Sequence, residues 1–124
     1  MTDRTEDVHR YLFIFNDSPH GSQRTYNGLR LAVSVSRKAG AGLRVFLLGD
    51  GVICGLKGLQ PAHADYNPQE LLRQIVSHGG EVHACGTCME ARGVGDTFLI
   101  DEVKRSTMDT LTQWTEDADK VLTF

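Results

Sequence analysis

The chain has 124 residues, 40% apolar and 23% charged, with three prolines and a formal net charge of −3. That length supports one ordinary domain and no second one, that composition excludes a disordered chain, and a net acidic balance argues against direct nucleic-acid binding. Residues 1–7 are polar and mixed in charge, unlike a secretory signal, and no segment approaches the roughly 20 apolar residues of a membrane span, so a cytoplasmic protein without a membrane partner is expected.

Residues 1–10 read as an N-terminal tail and residues 11–124 as a single domain. The nearly all-apolar run Tyr11-Leu12-Phe13-Ile14-Phe15 has the pattern of a strand buried on both faces of a parallel sheet, and is expected to be central. Asn16 to Ser22 is a polar turn-forming loop. From Arg24 to Ala39 two apolar stripes, Tyr26/Leu29/Val33 and Leu31/Val35/Ala39, predict a helix whose wide apolar surface suits contact with a subunit as well as the sheet. Leu43 to Leu48 is the second strand, stopped by Gly49-Asp50-Gly51. Val52 to Tyr66 is less regular, either partly helical near Val52–Leu56 or a functional loop.

Asn67-Pro68-Gln69-Glu70 announces the next helix: an Asn cap, proline at the first helical position and Glu three residues after the cap. Leu71, Leu72, Ile75 and Val76 form its buried face. Gly79-Gly80 then hands over to a third strand, Glu81 to Ala84. A short helical turn is expected near Glu90–Arg92, and Thr97 to Ile100 reads as a weak strand or an extended link. Ser106-Thr107-Met108-Asp109 resembles a capping box for a last helix along Met108, Leu111, Trp114 and Ala118. Val121 to Phe124 is the last strand. Strands alternating with helices predict an α/β fold with a parallel sheet covered on both faces. The loops Asn16–Ser22, Gly49–Cys54 and Cys85–Arg92 then share the rim at the carboxyl ends of the strands.

The third strand delivers Cys85-Gly86-Thr87-Cys88 to that rim. A thiol is nucleophilic as thiolate, a form favoured by a nearby helix N-terminus or cation. Arg92 follows the motif, and His83 shares the strand face of Cys85 by the alternation of side chains, so both are candidates to favour the thiolate. Asp50, if close, would oppose it. The structural alternative is that these cysteines are small buried hydrophobes. Cys54 lacks such neighbours and reads as packing beneath the long loop. His83-x-Cys85-x-x-Cys88 offers three ligands where structural zinc takes four, so His63, His78 or Cys54 would have to join; neither a metal nor a cofactor is expected. His9 and His20 look like surface or turn residues, Asn16, Asp17 and Ser18 like turn and cap formers. Gly49-Asp50-Gly51 continues into neither a dinucleotide fingerprint nor a P-loop.

Phe13-Ile14-Phe15-Asn16, Gly28-Leu29-Arg30-Leu31-Ala32, Val45 to Val52 with its Gly-Asp-Gly, and Cys85 to Gly93 occur in an order that resembles the DsrE/DsrF-like family. The similarity is greatest to its small single-domain YchN-type members, and it extends to the closing Gln113-Trp114-Thr115 and Ala118 to Phe124. The resemblance implies a three-layer α/β/α fold with a mostly parallel five-stranded sheet, and assembly as a homotrimer or homohexamer. Family members in sulfur-relay complexes carry a persulfide on a strand-end cysteine a fixed distance before Arg-Gly. By that spacing to Arg92-Gly93, the carried-over position is Cys85. Cys88 departs from the one-cysteine pattern: it would resolve the persulfide or carry it in turn. The expected function is therefore a cytosolic sulfur carrier, with Cys85, Cys88, Arg92 and His83 as site residues and a sulfur-donor or acceptor protein as partner. A thiol-disulfide redox protein and a noncatalytic oligomeric binding module are the alternatives.

Overall fold

The computed structural model describes residues 9–20, 22–59 and 67–124, and five of its segments pair into one sheet. In chain order the elements are β1 (His9–Phe15), α1 (Arg24–Ser36), β2 (Ala41–Leu47), a 3-10 helix (Gly49–Gly55), α2 (Pro68–Ser77), β3 (Glu81–Cys85), α3 (Gly86–Ala91), a 3-10 turn (Asp96–Phe98), β4 (Val103–Ser106), α4 (Met108–Asp117) and β5 (Lys120–Thr123). The strand order is β4-β3-β2-β1-β5 and every pairing is parallel. The expected α/β architecture is present, with β2 rather than β1 in the middle.

Topology dictates the layers. From β1 to β4 the chain steps in one direction along the sheet, so right-handed crossovers keep its helices on one face. The return from β4 to β5 runs backwards, and the same handedness carries α4 across the other face. On the first face Phe13, Phe15, Val45, Leu47, Val82 and Ala84 pack with Leu29 and Val33 of α1 and Leu72 and Ile75 of α2. On the second face Leu12, Phe46 and Cys85 pack with Leu111 and Trp114 of α4, the indole edge-on to Phe46 at 5.9 Å. One helix leaves part of that second face thinly covered: Val121 is 45% and Met108 56% exposed.

Several boundaries differ from the sequence reading, each for a local reason. The strand β1 begins at His9 because its pairing with β2 extends to Ala41 and Gly42, so His9 and Arg10 belong to the sheet rather than to a tail. Residues 1–8 of that tail, and residues 60–66 of the Val52–Tyr66 segment with His63, lie outside the described residues. The helix α1 ends at Ser36 rather than Ala39: the Ser36 hydroxyl donates to Val33 O at 2.6 Å, and Arg37 N–H closes a tight turn on Ser34 O. Thr97 to Ile100 is not a strand. Leu99 instead bridges Leu56, and Ile100 N–H donates to Gly55 O, anchoring this apolar pair on the 3-10 segment.

One edge strand is β4, where Val103 supplies the buried side chain and Lys104 and Arg105 remain exposed. That polar pattern on an edge hides a strand from a search for apolar runs. Asn67 caps α2 as expected, its Oδ1 accepting from Glu70 N–H at 3.2 Å. For α4 the cap is Thr107, which accepts from Thr110 N–H, while Ser106 ends β4.

Candidate thiol site

The close approach of three strand ends builds the rim. Leu48 N–H donates to Phe15 O at 2.8 Å, and Gly51 follows so near that a Cβ there would lie 2.1 Å from the same carbonyl oxygen. Only glycine fits. Gly49 adopts φ +51°, and a Cβ on it would meet Asn16 O at 3.4 Å and the Arg92 guanidinium at 3.8 Å. The segments that follow β1, β2 and β3 therefore share one end of the sheet, as their positions after strands predict.

At that end β3 turns directly into α3 without a connecting loop. The expected helical turn near Glu90–Arg92 is thus the end of a helix that starts at Gly86, and Cys85 is its N-cap. Cap geometry brings the two cysteines together. Cys88 N–H donates to Cys85 Sγ at 3.4 Å, and Thr87 Oγ1 lies 3.2 Å from the same sulfur. The Cys88 side chain packs against the same cluster as Cys85.

These contacts set the acidities of the pair. Burial would push the Cys85 thiol up, but hydrogen bonds from the Cys88 and Thr87 side chains and backbones outweigh it, and the thiol lies below its ordinary value. Cys88 moves the other way. Burial and its donation to Cys85 raise it, against smaller opposing effects from Gly49 N–H and the Arg92 charge. Cys85 is 2% exposed whereas Cys88 is partly accessible, so the more acidic thiol belongs to the less accessible residue.

Arg92 acts on Cys88 rather than on Cys85. Its Nη1 donates to Cys88 O at 3.1 Å and its Nε to Asp50 Oδ1 at 2.9 Å, so Asp50 holds the guanidinium and partly neutralises it. His83 shares the sheet face of Cys85 but turns to other partners. Its Nδ1 lies 2.9 Å from Ser106 Oγ, and its ring centre 4.3 Å from that of Trp114. Burial also holds its pKa below the ordinary value, against the pull of Glu81, so it is poorly suited to be a cation for a thiolate. Cys54 is fully buried inside the 3-10 helix, its thiol pushed up to about 12 by burial. It packs in the first-face core, as read from the sequence.

Sequence reasoning misses Thr87, although it lies within the C-x-x-C itself; its signal is the N-cap register of Cys85. The Asp50–Arg92 pair spans 42 positions and leaves no local signal. Among the described residues no helix is long and apolar enough to cross a membrane.

Comparison with known proteins places these features in a group. The model of the DsrE/DsrF-like family matches residues 9–124. The chain is 38% identical over 118 residues to Protein YchN of Escherichia coli K12, covering 94% of this chain and 100% of that one. The crystal structure of the E. coli YchN protein superposes with a TM-score of 0.87 over 94% of this chain and 100% of that chain. An uncharacterised protein of Methanopyrus kandleri is 37% identical over 90% of both chains. A TusC homolog of Aliivibrio fischeri is 22% identical over 94% of this chain and 100% of that protein.

Proposed function

Because the chain belongs to the DsrE/DsrF-like family, we propose that it serves sulfur transfer, as a cytoplasmic carrier that takes up sulfane sulfur as a persulfide on Cys85. The observation that carries this reading is the Cys85 sulfur at the N-cap of α3, where the Cys88 N–H and the Thr87 hydroxyl favour its thiolate. Cys85 is the nucleophile, Cys88 the second thiol of the site and Arg92 the residue that fixes the Cys88 backbone. His83 enters only as a neighbour on the same sheet face. The family also suggests work as a homotrimer or homohexamer, with a protein donor or acceptor of sulfur. The thin cover of the second face, with Met108 and Val121 exposed, and Leu31 of α1 at 43% exposure support self-association.

Tandem mass spectrometry after treatment with inorganic hydropolysulfide tests the carrier. One added sulfur mapped to Cys85 is expected in a Cys88→Ser variant, and its absence there, with alkylation of the Cys85 thiol verified, would refute the reading. Light scattering on the purified chain tests the assembly, and a monomer at micromolar concentration would contradict it. A thiol-disulfide protein is the second reading, favoured by the Cys88 backbone N–H on the Cys85 sulfur, which sets the two cysteines side by side. A reduction potential far below that of the glutathione pool would favour it over the carrier.

A further inference from the structure

A carrier needs one thiol, and this site holds two side by side in one helix turn. The Cys88 backbone N–H donates to the Cys85 sulfur at 3.4 Å, and the Cys88 side chain packs against the same second-face cluster as Cys85. A persulfide on Cys85 leaves Sγ as its inner sulfur, so the nearest nucleophile to that atom belongs to the chain itself. Holding reactants in contact makes such an attack effectively unimolecular, ahead of encounter with a partner. Resting on the carrier reading, we propose that the pair is a reductase site for sulfane sulfur: sulfur loaded on Cys85 leaves as hydrogen sulfide when Cys88 closes a disulfide, and an external thiol reopens it at Cys88.

The chemistry balances in four steps. The Cys85 thiolate attacks the outer sulfur of a low-molecular-weight persulfide, R–S–SH, forming the Cys85 persulfide and expelling the thiolate RS⁻. Cys88 sulfur then attacks Cys85 Sγ, the inner S–S bond breaks, and the departing HS⁻ takes the Cys88 proton and leaves as hydrogen sulfide. A reducing thiol, R′SH, next attacks as thiolate on Cys88 Sγ and expels Cys85 as thiolate, leaving a mixed disulfide on Cys88. A second R′SH releases R′SSR′ and restores the Cys88 thiol. The sum is R–S–SH and two R′SH giving RSH, hydrogen sulfide and R′SSR′: the donor's sulfane sulfur is reduced and the two thiols are oxidised.

The asymmetry of the site fixes the direction of the third step. Thiol-disulfide exchange favours attack on the accessible sulfur and departure of the better stabilised thiolate. Cys88 is the accessible one, while Cys85 is 2% exposed. The hydrogen bonds from Thr87 and from the Cys88 backbone that hold Cys85 as thiolate also assist its departure. Arg92 pins the Cys88 carbonyl oxygen at 3.1 Å, which keeps Cys88 beside Cys85.

The test uses the full chain, reduced and exposed to glutathione persulfide as the probe, then freed of excess reagent. Wild type is expected to release one sulfide per chain and to lose two hydrogens in mass. Cys88→Ser and Cys88→Ala are both expected to retain one added sulfur on Cys85 and release none. Glutathione added to the oxidised wild type should pass through an adduct mapped to Cys88 and regenerate the dithiol. With glutathione in excess, wild type should then produce sulfide in multiple turnovers while both variants fall to the background rate. Retention of the added sulfur by wild type for as long as by Cys88→Ser would overturn the reductase and leave the carrier standing, and an adduct mapped to Cys85 would overturn the order of opening. If neither wild type nor the variants gain sulfur on Cys85, the carrier reading itself fails and the reductase with it.

Discussion

Cys54 and Cys85 are both withdrawn from water, yet burial pushes the Cys54 thiol up to about 12 while the Cys85 thiol lies below its ordinary value. Cys54 is the next-to-last residue of a 3-10 helix, among apolar side chains, with little to compensate a charge. Cys85 sits one residue before a helix, where backbone N–H groups of the first turn have no helical partner and can turn to the sulfur instead. Lighter desolvation at the rim, together with a second thiol, a hydroxyl and the N–H groups of a helix start, separates the reactive thiol from the structural one here.

The largest expected difference is in reactivity. At pH 8 a thiol with a pKa of about 12 is ionised in only about one molecule in ten thousand. Alkylation of the native chain with a small electrophile, followed by peptide mapping, should therefore modify the Cys85–Cys88 pair at least roughly a thousandfold faster than Cys54. Comparable rates would break the contrast. The same burial predicts an alkaline weakness. Above the ordinary thiol value of 9.0 the unfolded chain ionises Cys54 while the folded chain keeps its proton up to about 12, so stability falls as pH rises through that window. The loss is about 1.4 kcal/mol per pH unit for this one group. Urea titrations from pH 8 to 11 should show Cys54→Ala less pH-dependent than wild type, after a cost of about 1 kcal/mol at neutral pH for the lost packing. Parallel pH profiles would refute the assignment.

The contrast between these thiols is partly legible in the sequence. Apolar runs of strand length identify β1, β2 and β3, and the Asn67-Pro68 start identifies α2, because these elements carry their signals locally. The motif Cys85-Gly86-Thr87-Cys88 is legible as a strand-end thiol pair, and Cys54 as packing. What the sequence does not show is set by distant contacts. Val103 to Ser106 lies on the sheet edge with one buried side chain, so its strand character comes from pairing with β3 rather than from its own pattern. Asp50 reaches Arg92 only because Gly51 lets the loop after β2 close against Phe15 O. His83 lies on the face of Cys85 as alternation predicts, but alternation gives a side and not a partner. Its partners, Ser106 and Trp114, come from the edge strand and from α4.

A smaller expected effect separates the two sides of the Cys85 environment. After burial, the Cys88 side chain has the largest influence on the Cys85 thiol, and it opposes burial by donating a hydrogen bond. Cys88→Ala removes that donor and keeps the backbone N–H, so the Cys85 titration midpoint should move up, toward the ordinary value. Ultraviolet absorbance of the thiolate, followed against pH in a Cys54→Ala background, measures it without interference from the core thiol. An unchanged or lowered midpoint would mean that the cap N–H groups alone hold the thiolate.

The smallest effect is expected from Thr87, and it bears most directly on what the helix start contributes. Its Oγ1 lies 3.2 Å from Cys85 Sγ but the residue is exposed, so water competes for the hydroxyl, and the other donors still hold the sulfur in its absence. Thr87→Val preserves the β-branched shape and the backbone N–H while deleting only the hydroxyl donor. The Cys85 midpoint should therefore rise by less than in Cys88→Ala, with urea stability at neutral pH unchanged within about 0.5 kcal/mol. A rise as large as that of Cys88→Ala would give the hydroxyl equal standing with the thiol. No rise at all would leave Cys85 dependent on Cys88 and the backbone of α3, which widens its distance from Cys54: the reactive thiol would then owe its acidity almost wholly to standing at a helix start beside a second sulfur.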